Sequence, residues 1–130
     1  MLDIKFIREH PECVKNACRV KGFDDPTDAI LALDAQVREL KTVTQAKTAE
    51  KNKISREIAT ATDKAPLIAA SKKISDEIAD DMAALADAEE KLNDLMHRVP
   101  QIPSPDAPIG PDDSGNVEIR RVGTPREFDF

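Results

Sequence analysis

Apolar residues in the middle of the chain recur at alternating steps of four and three, the spacing of a helix face that packs against a second helix. We call these positions the seam. Its first half consists of Leu33, Val37, Leu40, Thr44, Lys47, Lys51, Ile54 and Ile58. Its second half consists of Leu67, Ser71, Ile74, Ile78, Asp81, Leu85, Ala88, Leu92, Leu95 and Val99. The spacing predicts two long helices, at about 27–61 and 66–98. It leaves open whether the first helix shifts register at its polar centre towards Val43, Ala46 and Ala49 or moves slightly away from its partner there. Met82 suggests a further small adjustment in the second helix.

Two helices of nearly equal length, joined by about four residues at a tip near 62–66, must run antiparallel to bury their seams against each other. Before them, Asp3, Pro11 and Gly22 provide start and stop signals for two short helices within residues 3–22. Asp25 and Pro26 give the first long helix its cap and first-turn proline. The predicted fold is therefore all-α: a long antiparallel two-helix coiled-coil hairpin, with the short helices packed at its open base near residues 28 and 98, in one domain at 1–99.

Residues 100–130 have a different composition. The stretch VPQIPSPDAPIGPDDSG is rich in proline and glycine, which favours a linker without regular structure. The following NVEIRRV, residues 116–122, alternates in the manner of a short strand. Because one strand has no partner here, we expect this segment to lead into a further domain that residues 1–130 lack, and to be mobile without it.

The charge distribution suggests a binding end. Residues 41–73 contain eight basic and three acidic side chains, whereas residues 74–130 contain five basic and fourteen acidic ones. A positive tip on an acidic stalk would attract a polyanion to one end. Phosphate contact is the proposed role of Lys47, Lys51, Asn52, Ser55, Arg56, Lys64, Lys72 and Lys73. For any single lysine, a solvated helix face with pairs such as Glu50 and Lys53 explains the charge equally well.

Other chemistry has little support in the sequence. Without Trp or Tyr, base stacking has no platform, so recognition should follow nucleic-acid shape more than sequence. Cys13, Cys18 and His10 lack the spacing and the fourth ligand of a zinc site, and we predict no metal site. No glycine-rich phosphate loop or activated nucleophile is evident, so no catalytic residue and no cofactor are predicted for this chain. The charged N-terminus and the absence of a long apolar run predict a cytoplasmic protein that does not contact membranes.

Three stretches together resemble the N-terminal region of bacterial seryl-tRNA synthetase. They are the opening LDIKFIRE, the N..S..I pattern at Asn52, Ser55 and Ile58, and the ending NVEIRR.G.P..F.F. The resemblance runs in order along essentially the whole chain. It implies that the hairpin contacts the long variable arm and the elbow of serine tRNA, largely through the RNA backbone.

The resemblance also implies a homodimer in which the arm reaches the tRNA on the other subunit. ATP, magnesium and serine would bind a C-terminal class II catalytic domain outside residues 1–130, so this chain alone should not attach serine to tRNA. A protein-interaction coiled coil remains an alternative, in which the polar seam positions Lys47 and Lys51 would specify register or a partner helix. A weaker alternative is an RNA chaperone without tRNA specificity.

Overall fold

A computed structural model describes residues 2–110 and 112–129 and contains four α-helices. They are α1 (Ile4–Glu9), α2 (Pro11–Lys21), α3 (Thr27–Thr60) and α4 (Ala65–Arg98), followed by a 3₁₀ turn at Asp113–Gly115. The all-α hairpin with two short N-terminal helices is confirmed, and the long helices end within about one residue of the predicted bounds.

The helix ends follow the local signals in the sequence. The Asp3 carboxylate accepts a hydrogen bond of 2.8 Å from the Lys5 backbone N–H at the start of α1. Gly22 ends α2 in the left-handed conformation, with φ of 69°, which an L-residue would adopt only at a cost. Asp25 caps α3 as predicted, by accepting from the Thr27 N–H at 3.0 Å, although Pro26 precedes the helix instead of occupying its first turn.

The seam between α3 and α4 keeps one register over its whole length. Every predicted seam residue on both helices is buried or half-buried, including the polar ones. The alternative positions Val43, Ala46 and Ala49 are exposed, and Met82 is 57% exposed, so neither suggested adjustment occurs. The helix pair therefore holds polar side chains in its centre, and their partners become important below.

The hydrophobic core lies at the open base of the hairpin, where the short helices pack as predicted. Its buried members come from both short helices and from the base ends of both long ones: Ile7, Val14, Cys18, Ile30, Met96 and Val99. A bidentate ion pair reinforces it, with Nε and Nη2 of Arg8 each 2.7 Å from a carboxylate oxygen of Asp34. Asp34 is only 4% exposed and also accepts from Arg38 of the same helix. Its pair with Arg8 joins α1 to α3.

The predicted strand at residues 116–122 is wrong. These residues form no strand, and within the described chain the linker contains regular structure only at Asp113–Gly115. Val117, Ile119 and Val122 are at least 73% exposed. A strand needs a hydrogen-bonding partner, and the described residues offer none to this segment. Three positions of the predicted segments, Met1, Pro111 and Phe130, lie outside the described residues.

Candidate nucleic-acid interface

The turn between α3 and α4 gathers most of the predicted contact residues at the far end of the hairpin. The Asp63 carboxylate accepts from the Ala65 N–H at 3.2 Å, which helps to start α4 directly after the turn. Lys64 lies in the turn itself. The last turns of α3 carry Lys51, Asn52, Ser55 and Arg56, and the early turns of α4 carry Lys72 and Lys73.

Lys47 has a different environment from the other predicted residues. Its ammonium lies in the seam, 2.6 Å from the Asp81 carboxylate and 3.4 Å from that of Glu77 on the opposite helix. The close contact with Asp81 is the main reason that the pKa of Lys47 is raised; Glu77 adds to the rise and partial burial opposes it. Lys47 thus connects α3 to α4, and its charge is already balanced within the arm.

Lys41 is paired in the same way, with its Nζ 2.6 Å from the Glu89 carboxylate. The other basic residues of the outer arm form no ion pair with any part of the chain that the structure describes. They are Lys51, Lys53, Arg56, Lys64, Lys72 and Lys73. All but Lys51 are exposed, and Lys51 is half-buried at its seam position. These six free cations are the charge available to a ligand.

The free cations are confined to the last part of the arm. We call residues 51–75 the tip segment; it contains six basic and two acidic side chains, Glu57 and Asp63. The adjoining residues 76–89 of α4, which we call the acidic collar, contain six acidic and no basic side chains. The observed pairs Lys41–Glu89 and Lys47–Asp81 place the acidic collar opposite residues 41–50.

The pairing of α3 with the acidic collar makes the positively charged end of the hairpin shorter than the charge count along the sequence predicted. Residues 41–73 have a net positive charge when they are counted along the sequence, but the first ten of them lie beside the acidic collar in the folded chain. Only the tip segment, about 15 Å along the hairpin at 1.5 Å per residue, keeps a positive balance. A polyanion is therefore attracted to the extreme end of the arm and repelled just behind it.

Hydroxyl groups near the tip were partly missed by the sequence analysis. Ser55 donates to the Lys51 carbonyl oxygen at 2.9 Å, and Ser75 donates to that of Ser71 at 2.8 Å. Thr48 likewise donates to the Thr44 carbonyl oxygen at 2.7 Å. Since each hydroxyl hydrogen is used inside its helix, the oxygen remains an acceptor for an outside donor. Thr48 and Ser75 each directly follow a seam position, and that signal could have identified them.

Three further properties of the described residues bear on possible metal binding, thiol chemistry and membrane insertion. No group of three or more His, Cys, Asp or Glu side chains there is placed to hold a metal ion, and the prediction of no metal site stays a prediction. Cys13 is exposed and Cys18 is buried, both as free thiols. In the same residues, none of the helices has the length and apolarity required to span a bilayer.

Comparison with known proteins gives a consistent result over the whole chain. The family described as Seryl-tRNA synthetase N-terminal domain matches residues 1–103. Serine–tRNA ligases of Symbiobacterium thermophilum and Thermomicrobium roseum are 35% and 41% identical to this chain over 134 and 133 residues. The alignments include all of this chain but 32% and 30% of those ligases. The chain thus spans about a third of the length of these relatives.

A solved structure has the same architecture. The crystal structure of seryl-tRNA synthetase from Pyrococcus horikoshii complexed with ATP superposes with a TM-score of 0.82 at 34% sequence identity. The superposition covers 92% of this chain and 28% of that one. Fold and sequence similarity therefore agree on the same part of the same protein family.

Proposed function

The chain belongs to the seryl-tRNA synthetase N-terminal domain family, and from this premise we propose that residues 1–99 form an arm that binds serine tRNA. The arm contacts the long variable arm and the elbow of the tRNA, chiefly through ribose and phosphate. The observation that carries this proposal is the set of six free cations in the tip segment, beyond the acidic collar.

The geometry supports contact with an RNA backbone. Helices of 34 residues are about 50 Å long, so the tip segment extends from about 35 to 50 Å from the base, far enough to reach a tRNA that is held elsewhere. Free lysine and arginine side chains suit phosphates, whereas base-edge recognition needs side chains inserted into a groove or stacked on bases. The acidic collar limits the contact to the end of the arm and so favours a defined docking position.

In the longer protein, this arm would serve a ligase that attaches serine to tRNA using ATP. We propose that ATP and Mg²⁺ bind a catalytic domain beyond residues 1–130, and that the described chain supplies tRNA recognition without aminoacylation. The longer protein would be a cytoplasmic homodimer, with each arm reaching the tRNA on the other subunit.

The protein-interaction alternative relied on the polar seam positions. Lys47 is one of these, and its pairing with Asp81 and Glu77 gives it a partner inside the hairpin. A partner helix is therefore not needed to explain a charge at that position. Lys51, the second polar position, lies in the tip segment, where a phosphate could compensate its charge.

A salt-stepped binding titration tests the proposal. The chain is titrated with serine tRNA and with the same tRNA whose variable arm has been deleted. We expect binding that weakens steeply with salt and that is much reduced by the deletion, because the tip segment contacts phosphates of that arm. Equal binding to both RNAs would leave only a non-specific basic end, as in an RNA chaperone. Absence of binding at low salt would overturn the proposal and give priority to a protein partner.

A further inference from the structure

The two broad sides of the outer arm, from residue 48 to residue 80, differ in chemistry. Each residue on the first side directly follows a seam position, and each residue on the second directly precedes one. The first side, the hydroxyl face, consists of Thr48, Asn52 and Ser55 on α3 with Ile68, Lys72 and Ser75 on α4. The second, the carboxylate face, consists of Glu50, Lys53 and Glu57 on α3 with Lys73, Glu77 and Asp80 on α4.

Helix geometry explains why these sets lie on opposite sides. One residue forward or backward from the seam rotates the side chain by about 100° in opposite senses. Reversing the direction of one helix keeps the forward positions of both helices on one side of the pair. The ion pair between Lys41 and Glu89 confirms this, because these residues directly follow the seam positions Leu40 and Ala88 and are 2.6 Å apart.

The charge content of the two faces is unequal. The hydroxyl face has one basic and no acidic residue, whereas the carboxylate face has two basic and four acidic residues. Of these four, Glu57 lies in the tip segment, Glu77 and Asp80 lie in the acidic collar, and Glu50 lies opposite that collar. Of the remaining three cations, Lys51 lies in the seam, Arg56 lies opposite it and Lys64 lies in the turn, so none belongs to a single face. The faces therefore differ mainly in carboxylates, which repel phosphate at close range.

We propose that the hydroxyl face is the side of the tip that meets the ribose–phosphate backbone of the RNA, and that the carboxylate face points away from it. This inference rests on the proposed function and specifies its contact surface. The orientation follows from the carboxylate-free surface and not from the lysines, which both faces possess.

The hydroxyl face also has the hydrogen-bonding groups that RNA requires. The oxygens of Thr48, Ser55 and Ser75 have lone pairs free to accept from ribose 2′-hydroxyls, since their own hydrogens bind helix carbonyls. The exposed Asn52 amide and Lys72 ammonium can donate to phosphate oxygens. Ile68, 54% exposed one helical turn before Lys72, offers an apolar contact for a sugar ring.

Adjacent residues provide a matched test. Lys72→Glu and Lys73→Glu make the same charge change at neighbouring exposed positions of α4, one on each face. At 0.1 M salt, one phosphate contact contributes roughly eightfold to affinity through counterion release. We expect Lys72→Glu to weaken binding of serine tRNA about tenfold or more, and Lys73→Glu to change it less than about threefold.

A second pair adds charge without removing a lysine. Ala59→Asp places a carboxylate on the hydroxyl side, and Thr60→Asp places one on the opposite side, both at exposed positions near the end of α3. The first should weaken binding more than the second, with equal helicity by circular dichroism in both.

The outcomes separate the two proposals. If the original chain binds serine tRNA in a variable-arm-dependent manner but both variants of each pair weaken it equally, the face assignment is wrong and the proposed function stands. A larger effect from Lys73→Glu and Thr60→Asp would reverse the orientation and overturn the inference. If the original chain does not bind serine tRNA, the proposed function and this inference fail together.

Discussion

Neutralising three free cations of the tip segment should remove most of the affinity for RNA. The variant replaces Lys51, Arg56 and Lys64 with glutamine. None of the three forms an ion pair in the described structure, so no carboxylate loses a partner. Arg56 and Lys64 are exposed, and Lys51 is half-buried, so helix content should change little. A loss of binding would then report on contacts with RNA and not on unfolding.

The expected magnitude follows from the number of phosphate contacts. Each contact contributes about −0.7 to −0.9 to the slope of log affinity against log salt concentration. Losing three contacts should make the slope shallower by about 2.1 to 2.7. At 0.1 M salt this corresponds to a loss of affinity of roughly 100- to 500-fold. Raising the salt from 50 to 200 mM would then weaken the variant roughly 20- to 40-fold less than the original chain.

A control variant separates local contact from net charge. Lys5, Arg19 and Lys21 are exposed, lie at the base and form no ion pair in the described part of the chain, and changing them to glutamine alters the net charge equally. Fluorescence anisotropy with labelled serine tRNA at four or more salt concentrations gives the slopes, and circular dichroism gives helix content. The reasoning is refuted if the tip variant keeps the slope of the original chain, or if the base variant shows the same change.

Two further predictions concern stability. Asp34→Asn removes the carboxylate shared by Arg8 and Arg38 and should lower the free energy of unfolding by about 2 kcal/mol in urea titrations, a value reduced by the partial exposure of both guanidinium groups. The hydrogen bonds from Arg8 hold the pKa of Asp34 below its usual range, so the stabilisation that the ionised carboxylate provides is complete above about pH 4 and is lost as the pH falls through the lowered pKa. The Asp34→Asn variant should therefore lose less stability in acid than the original chain. An unchanged dependence of unfolding free energy on pH would contradict this role. Replacing Lys47 and Asp81 together with leucine should leave the melting temperature unchanged or raise it. Lys47→Ala alone should lower the melting temperature, because it leaves Asp81 half-buried without its cation. A large fall in the melting temperature of the double variant would contradict a purely structural role for this pair.

The secondary structure could be predicted because its causes are local. Seam spacing, the carboxylate caps at Asp3 and Asp25, and the left-handed Gly22 depend on residues within a turn or two of each other. Connectivity then determined the hairpin, since two helices joined by a short turn can bury their seams only as antiparallel neighbours. The strand at residues 116–122 was wrong because alternation describes a strand's two faces and does not supply its partner.

The candidate site was only partly determined by the sequence. Its location at the turn and most of its residues, such as Lys64 and Lys72, followed from charge counting along the chain. The state of each charge did not, because ion pairs such as Lys47 with Asp81 join residues 34 positions apart. The residue pattern was sufficient to predict the helices, their antiparallel arrangement and a basic region near the turn. The three-dimensional packing was needed to establish which cations are free and which side lacks carboxylates. Antiparallel packing brings the acidic collar beside residues 41–50, and electrostatic energy depends on distance in space.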